Sequence, residues 1–284
     1  MTTAAETLPA PRARPRPLAR AWAFARHHTL TLYALLALAY LLVPIGVVIL
    51  FSFNDPRGRF NYVWQGFTFD NWVNWDAVPG LRDAVEVSLE IAALSSVGAT
   101  ALGTLVALAL VRYGFRGRSA TNLFVFLPMS TPEIVLGASL LTLFLTLNFA
   151  LGFWSILIAH VMFNISYVVV TVKARLIGFD RHLEEAAMDL GANEWTTFRK
   201  VTLPLIAPAI LAGFLLSFAL SVDDFVITYF NSGSEITFPL FVWGAARVGA
   251  PPQVNVMGTI IFVVAISLMA INILLQRRRE ARPA

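Results

Sequence analysis

Three carboxylates stand where a carboxylate is expensive. Asp223 and Asp224 fall inside an apolar run from Leu203 to Phe230, and Glu133 follows the Pro128-Met129-Ser130-Thr131-Pro132 interruption of another. At the centre of a bilayer-spanning helix each costs about 2.5 to 3.5 kcal/mol, so such acids line a pathway, pair with a counter-charge or sit wet at a helix break. No Lys or Arg lies within any of the six long apolar runs of the chain. A cationic substrate would satisfy these acids, and a counter-ion on another subunit would serve equally. A second pattern occupies the longest polar interruption between apolar runs. Glu185-Ala186-Ala187 is followed after three residues by Gly191, and after nine more by Val201-Thr202-Leu203-Pro204. Leu183 to Leu190 consists of good helix formers with an apolar strip of Ala186, Ala187 and Leu190, small enough for close docking. Gly191 suits the left-handed position that ends such a helix, Asn193 is a cap for the next, and Pro204 and Pro208 sit near the start of the following span.

Catalytic constellations are missing. The histidines His27, His28, His160 and His182 form no HExxH pair, and neither a GxSxG elbow nor a phosphate-binding glycine loop occurs. His160, alone in an apolar run, reads as a packed or hydrogen-bonded core residue. Adjacent helical residues point about 100° apart, so Asp223 and Asp224 cannot face each other as a protease dyad must. The chain has no cysteine, which removes disulfides, thiolate metal sites and Cys nucleophiles. We therefore expect no catalytic residue, no metal site and no enzyme.

The elements that position these residues are membrane spans. The chain of 284 residues is 57% hydrophobic and 13% charged, a balance that a soluble domain could carry only with large exposed apolar patches. The runs long enough to cross a bilayer are 29–53, 85–111, 122–147, 153–172, 203–230 and 254–275, which predicts an all-α integral membrane protein with six transmembrane helices. The domain reading is a disordered basic tail over 1–28, a six-helix membrane domain over 29–276 with a polar loop at 173–202, and a basic tail over 277–284. No cleavable signal is expected, because the first apolar run is too long for a signal core. With both termini cytoplasmic, 17 of the 21 Lys and Arg lie inside; only Arg57, Arg59, Arg82 and Arg247 fall outside. The net charge of +4 then reads as attraction to anionic inner-leaflet lipid rather than to nucleic acid.

The Glu185 to Pro204 pattern resembles the EAA loop of membrane subunits of bacterial ATP-binding-cassette importers, with Val201 where that family usually carries isoleucine. From about Leu42 to Ile273 the chain also resembles the second permease subunits of spermidine/putrescine importers. Trp64-Gln65-Gly66-Phe67-Thr68, Gly152-Phe153-Trp154-Ser155 and Leu216 to Asp224 carry that likeness. The resemblance implies a type I importer permease fold in the bacterial cytoplasmic membrane, pairing as a heterodimer with a related permease. It also implies two ATPase subunits that hold the ATP and magnesium, this chain binding no cofactor itself. An extracytoplasmic binding protein would dock on the loops near 54–82 and 231–253. In that family the positions matching Trp72, Glu133, Glu194, Ser221, Asp223 and Asp224 are implicated in transport. We assign Trp72, Glu133, Ser221, Asp223 and Asp224 to the substrate pathway, and Glu185, Ala186, Ala187, Gly191 and Glu194 to ATPase coupling. Glu133 departs from the aspartate that the family more often has. Permeases for ferric ion, thiamine or a phosphonate share the loop and remain alternatives, as do a passive channel and a polytopic enzyme. An anionic solute would call for an intramembrane base, which this chain lacks.

Overall fold

The computed structural model describes residues 17–58 and 60–280. Among them all regular structure is helical, with one isolated bridge between Asn54 and Phe67. The helices are α1 (Pro17–Phe51), α2 (Asp70–Val73), α3 (Leu81–Arg112), α4 (Arg118–Ser130), α5 (Glu133–Thr146), α6 (Phe153–Ile177), α7 (His182–Asp189), α8 (Glu194–Thr197), α9 (Leu203–Asp223), α10 (Val226–Asn231), α11 (Phe238–Val248) and α12 (Pro252–Glu280).

Among the described residues, four stretches are helical, long and apolar enough to cross a membrane: His28–Phe51, Leu81–Arg112, Phe153–Ile177 and Glu194–Asp223. The third apolar run, expected as one span interrupted at 128–132, is sharply bent there. It is bent by 110° between α4 and α5, and counts as a fifth span only if the bent pair is one. The cause is local: Thr131, preceding Pro132, is extended (φ −83°, ψ 133°), as a residue before proline prefers, and the second helix starts afresh at Glu133. The sixth run lies in α12, whose described apolar part, Pro252–Ser267, is shorter than a full span. The fifth run is likewise broken, into α9 and α10. Helix α1 begins at Pro17, so residues 17–28, expected in a disordered tail, are helical, and α12 likewise runs on through residues 277–280 of the expected C-terminal tail. Residues 1–16 and 281–284 of the expected tails lie outside the described residues.

The core sits where α3, α6 and α9 cross. Small residues let the backbones approach, as is usual between helices in lipid. A Cβ added to Gly103 would meet the Val168 side chain at 2.8 Å, and Gly213 faces the same valine from α9. Ala99, Ala107, Val168, Val169, Val172 and Ile206 fill this seam and are fully buried. Helix α1 runs alongside α12, and none of its apolar window is buried within the chain, leaving its sides to lipid or to another subunit.

Candidate functional site

Helix α9 ends at Asp223 because Asp224 is extended (φ −64°, ψ 119°), and α10 restarts two residues later. A break here leaves the first N–H groups of α10 without helical partners. Asp224 supplies them. Its carboxylate accepts from the Thr228 N–H at 2.8 Å, the Thr228 hydroxyl at 2.8 Å and the Ile227 N–H at 3.4 Å. From α6, His160 Nε2 lies 3.2 Å from Asp224 Oδ2 and 2.9 Å from Thr228 Oγ1, while its Nδ1 lies 2.7 Å from Ser221 Oγ in the last turn of α9. Ser95 of α3 then reaches Ser221 at 3.1 Å. The His160 and Asp224 side chains are 3% and 7% exposed, so this network lies inside the protein wall. His160 is the hydrogen-bonded core residue expected from sequence, and it is also the partner of Asp224, a role that the lack of intramembrane Lys and Arg does not reveal.

Asp223 differs in every respect. It is exposed, and among the described residues no side chain donates to it or pairs with it; the same holds for Glu133 at the first position of α5. The two carboxylates lie within electrostatic reach of each other, and Glu133 also acts on Tyr167 of α6. The bend at Pro132 and the break at Asp224 thus bring together two acids ninety residues apart in the chain. Helix α5 is held against α10 at close range, since a Cβ on Gly137 would meet Phe230 at 2.8 Å. Glu133 gains in addition from the positive end of its own helix. Beside the break lies an apolar cavity of about 440 Å³, walled by Phe225, Phe238, Val242, Trp243 and Ile261, with Asp223 at its edge.

Of the other pathway candidates, Ser221 is 5% exposed and belongs to the His160 network, behind the surface that Asp223 shows. Trp72 has its contacts elsewhere. Its indole N–H donates to Ser52 Oγ at 3.2 Å, and its ring stacks on Phe53 at 5.2 Å between centroids, bracing the end of α1. Asn54, Asn61 and Asn71 tie the same loop together, Asn54 donating to Asn61 at 2.6 Å and Asn71 to the Asn54 carbonyl at 2.8 Å.

The polar loop is built as its sequence suggests, with boundaries moved. Helix α6 continues to Ile177, so the loop itself starts at Gly178 rather than at 173. Helix α7 covers His182–Asp189 and ends in a Schellman motif: Gly191 has φ +88°, its N–H bonds the Met188 carbonyl at 2.9 Å, and the Ala192 N–H bonds the Ala187 carbonyl at 3.1 Å. Asn193 caps α8, its side chain accepting from the Thr196 N–H at 2.8 Å. A π-helical turn, Phe198–Thr202, joins α8 to α9 ahead of Pro204. Glu185, Ala186 and Glu194 are exposed, Ala187 is half-buried, and Leu183, Leu190 and Trp195 present apolar surface beside them; Leu190 is 90% exposed.

Sequence reading missed what holds this loop. Glu184 takes both guanidinium arms of Arg112, the last residue of α3, one at 2.6 Å, and accepts from the Thr202 hydroxyl. Arg112 also lies over the Phe179 ring at 5.4 Å. Burial works against the charge on Glu184, but the Arg112 and Thr202 bonds and the arginine charge outweigh it and hold the carboxyl below the usual glutamate range. A cavity of about 600 Å³ opens beside this clamp, with Glu194 and Trp195 in its wall.

Residues 99–281 match the protein family described as the binding-protein-dependent transport system inner membrane component. The chain is 44% identical over 243 residues to the spermidine/putrescine transport system permease protein PotC of Escherichia coli K12, covering 84% of this chain and 90% of that one. It is 39% identical over 236 residues to the putrescine transport system permease protein PotI of the same organism, covering 80% and 83%. In three dimensions it is similar to a chain of a bacterial ABC transporter involved in the import of the acidic polysaccharide alginate. That match has a TM-score of 0.63 at 17% identity, covers 91% of this chain and 99% of that one, and shows a shared fold. The loop, the bent and broken spans and these matches agree: the chain belongs to the family of binding-protein-dependent transport system inner membrane components, a transport subunit with the type I ABC importer permease fold.

Proposed function

We propose that this chain forms one half of the pore of an ATP-driven polyamine importer. The observation that carries the reading is the pair of open acids, Asp223 and Glu133, which have no counter-charge among the described residues. Protonated amines are the natural complement of such a pair, and the spermidine/putrescine and putrescine permeases named above support the choice. The partner set is a related permease completing the pore, two ATPases holding ATP and magnesium, and a binding protein on the loops near 54–82 and 231–253. Both termini face the cytoplasm, as the distribution of Lys and Arg favours. Exposed Glu185, Ala186, Leu190 and Glu194 then dock on an ATPase, and Gly191 sets the length of the docking helix. Trp72 belongs to the outer mouth.

ATP binding draws the ATPases together and swings the α7–α8 loop. The Glu184–Arg112 clamp passes that movement to α3, and the π turn passes it to α9, at whose far end Asp223 lies. Substrate drives the cycle only through a difference in affinity between the two states, so Asp223 and Glu133 must meet it better in one state than in the other. The test is ATP hydrolysis by the complete complex in lipid nanodiscs, with binding protein and spermidine, putrescine, thiamine, ferric ion or phosphate. Stimulation by polyamines alone is expected. Stimulation by another solute only would overturn the substrate reading.

A further inference from the structure

We propose that His160 is a positioning residue that divides the two adjacent aspartates: it holds Asp224 in the wall of the helix break, so that Asp223 alone presents its carboxylate to the cation pathway. This rests on the reading of Asp223 as part of that pathway.

The imidazole straddles the break. Nδ1 meets Ser221 in the last turn of α9 at 2.7 Å, and Nε2 meets Asp224 and Thr228, the cap and first turn of α10, at 3.2 and 2.9 Å. One ring on α6 therefore fixes how the two helix segments meet. An ionised Asp224 only accepts, so Nε2 carries the proton. Nδ1 then accepts from the Ser221 hydroxyl, whose oxygen accepts from Ser95. Every member of the chain is satisfied: Asp224 Oδ2 takes His160 and both Thr228 donors, and Oδ1 takes the long Ile227 bond. With its side chain 7% exposed, Asp224 could turn toward a substrate only by dismantling the cap of α10. Asp223, one residue earlier and about 100° away around the helix, escapes all of these bonds.

The complete complex in proteoliposomes, with its binding protein and labelled spermidine, tests the proposal. His160→Phe strands a buried carboxylate and a buried hydroxyl and is expected to cut uptake about tenfold or more. Asp224→Asn, which can still cap α10, is expected to cost less. The double variant, His160→Phe with Asp224→Asn, removes the stranded charge and is expected to recover uptake to within about threefold of Asp224→Asn alone. His160→Gln, which restores a donor toward Asp224, is expected to lie between wild type and His160→Phe. Because the chain has no cysteine, Asp223→Cys gives a single thiol to label with a cationic methanethiosulfonate, read by the mass of this chain. That thiol is expected to label quickly and to lose its reactivity when His160→Phe is added. The proposal is overturned if the His160 and Asp224 losses simply multiply, or if labelling at position 223 ignores His160→Phe. Labelling that follows His160, together with wild-type spermidine uptake by Asp223→Asn, upholds the division of the aspartates and sinks the pathway reading of Asp223. If His160→Phe fails to assemble, His160→Gln and the double variant carry the same comparison.

Discussion

Two pairs of neighbouring acids, Asp223-Asp224 at the α9–α10 break and Glu184-Glu185 in the loop after α6, divide in the same way. In each, one carboxylate is drawn into the protein and bonded to a distant helix, while its neighbour is left exposed. They differ in the partner. Glu184 is held by the permanent charge of Arg112 together with Thr202, whereas Asp224 is held by an imidazole and by the backbone it caps. A guanidinium fork suits the joint proposed above to carry movement from α7 to α3. The histidine and hydroxyl network suits a joint that fixes backbone direction without placing a full positive charge beside the proposed cation path. In both pairs one acid is structural and its neighbour is exposed, and under the proposed function that neighbour is the one that meets an outside partner.

Breaking the open member of the pair at the break should have the largest effect. Asp223→Asn with Glu133→Gln removes both unpaired charges, and each charge-assisted contact is worth about 1.5 to 3 kcal/mol. Spermidine uptake is expected to fall about a hundredfold or more while the complex still assembles, as judged by co-purification. Next comes the clamped member of the loop. Glu184→Leu leaves Arg112 unpaired and is expected to destabilise the loop by about 3 kcal/mol, seen as a lower unfolding midpoint and weaker coupling of hydrolysis to uptake. Arg112→Leu added to Glu184→Leu should recover much of the stability. If it recovers none, the clamp is not acting as a pair.

Gly191→Leu sharpens the same comparison at the end of the docking helix. A Cβ there meets nothing within 4 Å, so the cost comes from the backbone at φ +88°, about 1 to 2 kcal/mol. Loaded binding protein is expected to stimulate ATP hydrolysis poorly in that variant; full stimulation would remove Gly191 from the coupling role. The smallest effect concerns exposed His182. Its bond to Asp180 and the charge of Asp180 raise its pKa above the ordinary 6.5, so the stabilisation is complete below pH 6.5 and is lost as pH rises through the raised value. Asp180, which accepts from the His182 N–H and ring, is shifted down, so its share is lost only in acid below the ordinary 3.8. A shallow fall of the unfolding midpoint above pH 6.5 that vanishes in His182→Asn is expected.

Local signals were legible in the sequence and distant ones were not. Gly191 and Asn193 announced the end of one helix and the start of another, because left-handed backbone and side-chain capping are decided within a few residues. Pro132 likewise marked an interruption, although not the sharpness of the bend. The open acids, Asp223 and Glu133, stood out as charges in apolar runs. What sequence left dark were the contacts closing over long separations: His160 with Asp224, and Arg112 with Glu184. No local pattern encodes which of two adjacent acids turns inward, since the 100° step around a helix points them to different neighbours. An unaccompanied histidine in one apolar run and an acid pair in another was the available hint. Ser221 and Trp72 came from family resemblance, and the structure gives both of them bonds to the protein itself, Ser221 to His160 and Trp72 to Ser52.

The account stands most directly on labelled spermidine uptake by the complex carrying Asp223→Asn alone, with ATP hydrolysis followed in the same proteoliposomes. It predicts that uptake falls by about tenfold or more while hydrolysis still requires binding protein and the loop still couples. Uptake at the wild-type rate would contradict it, and would show that the open carboxylate at the break does not meet the cation.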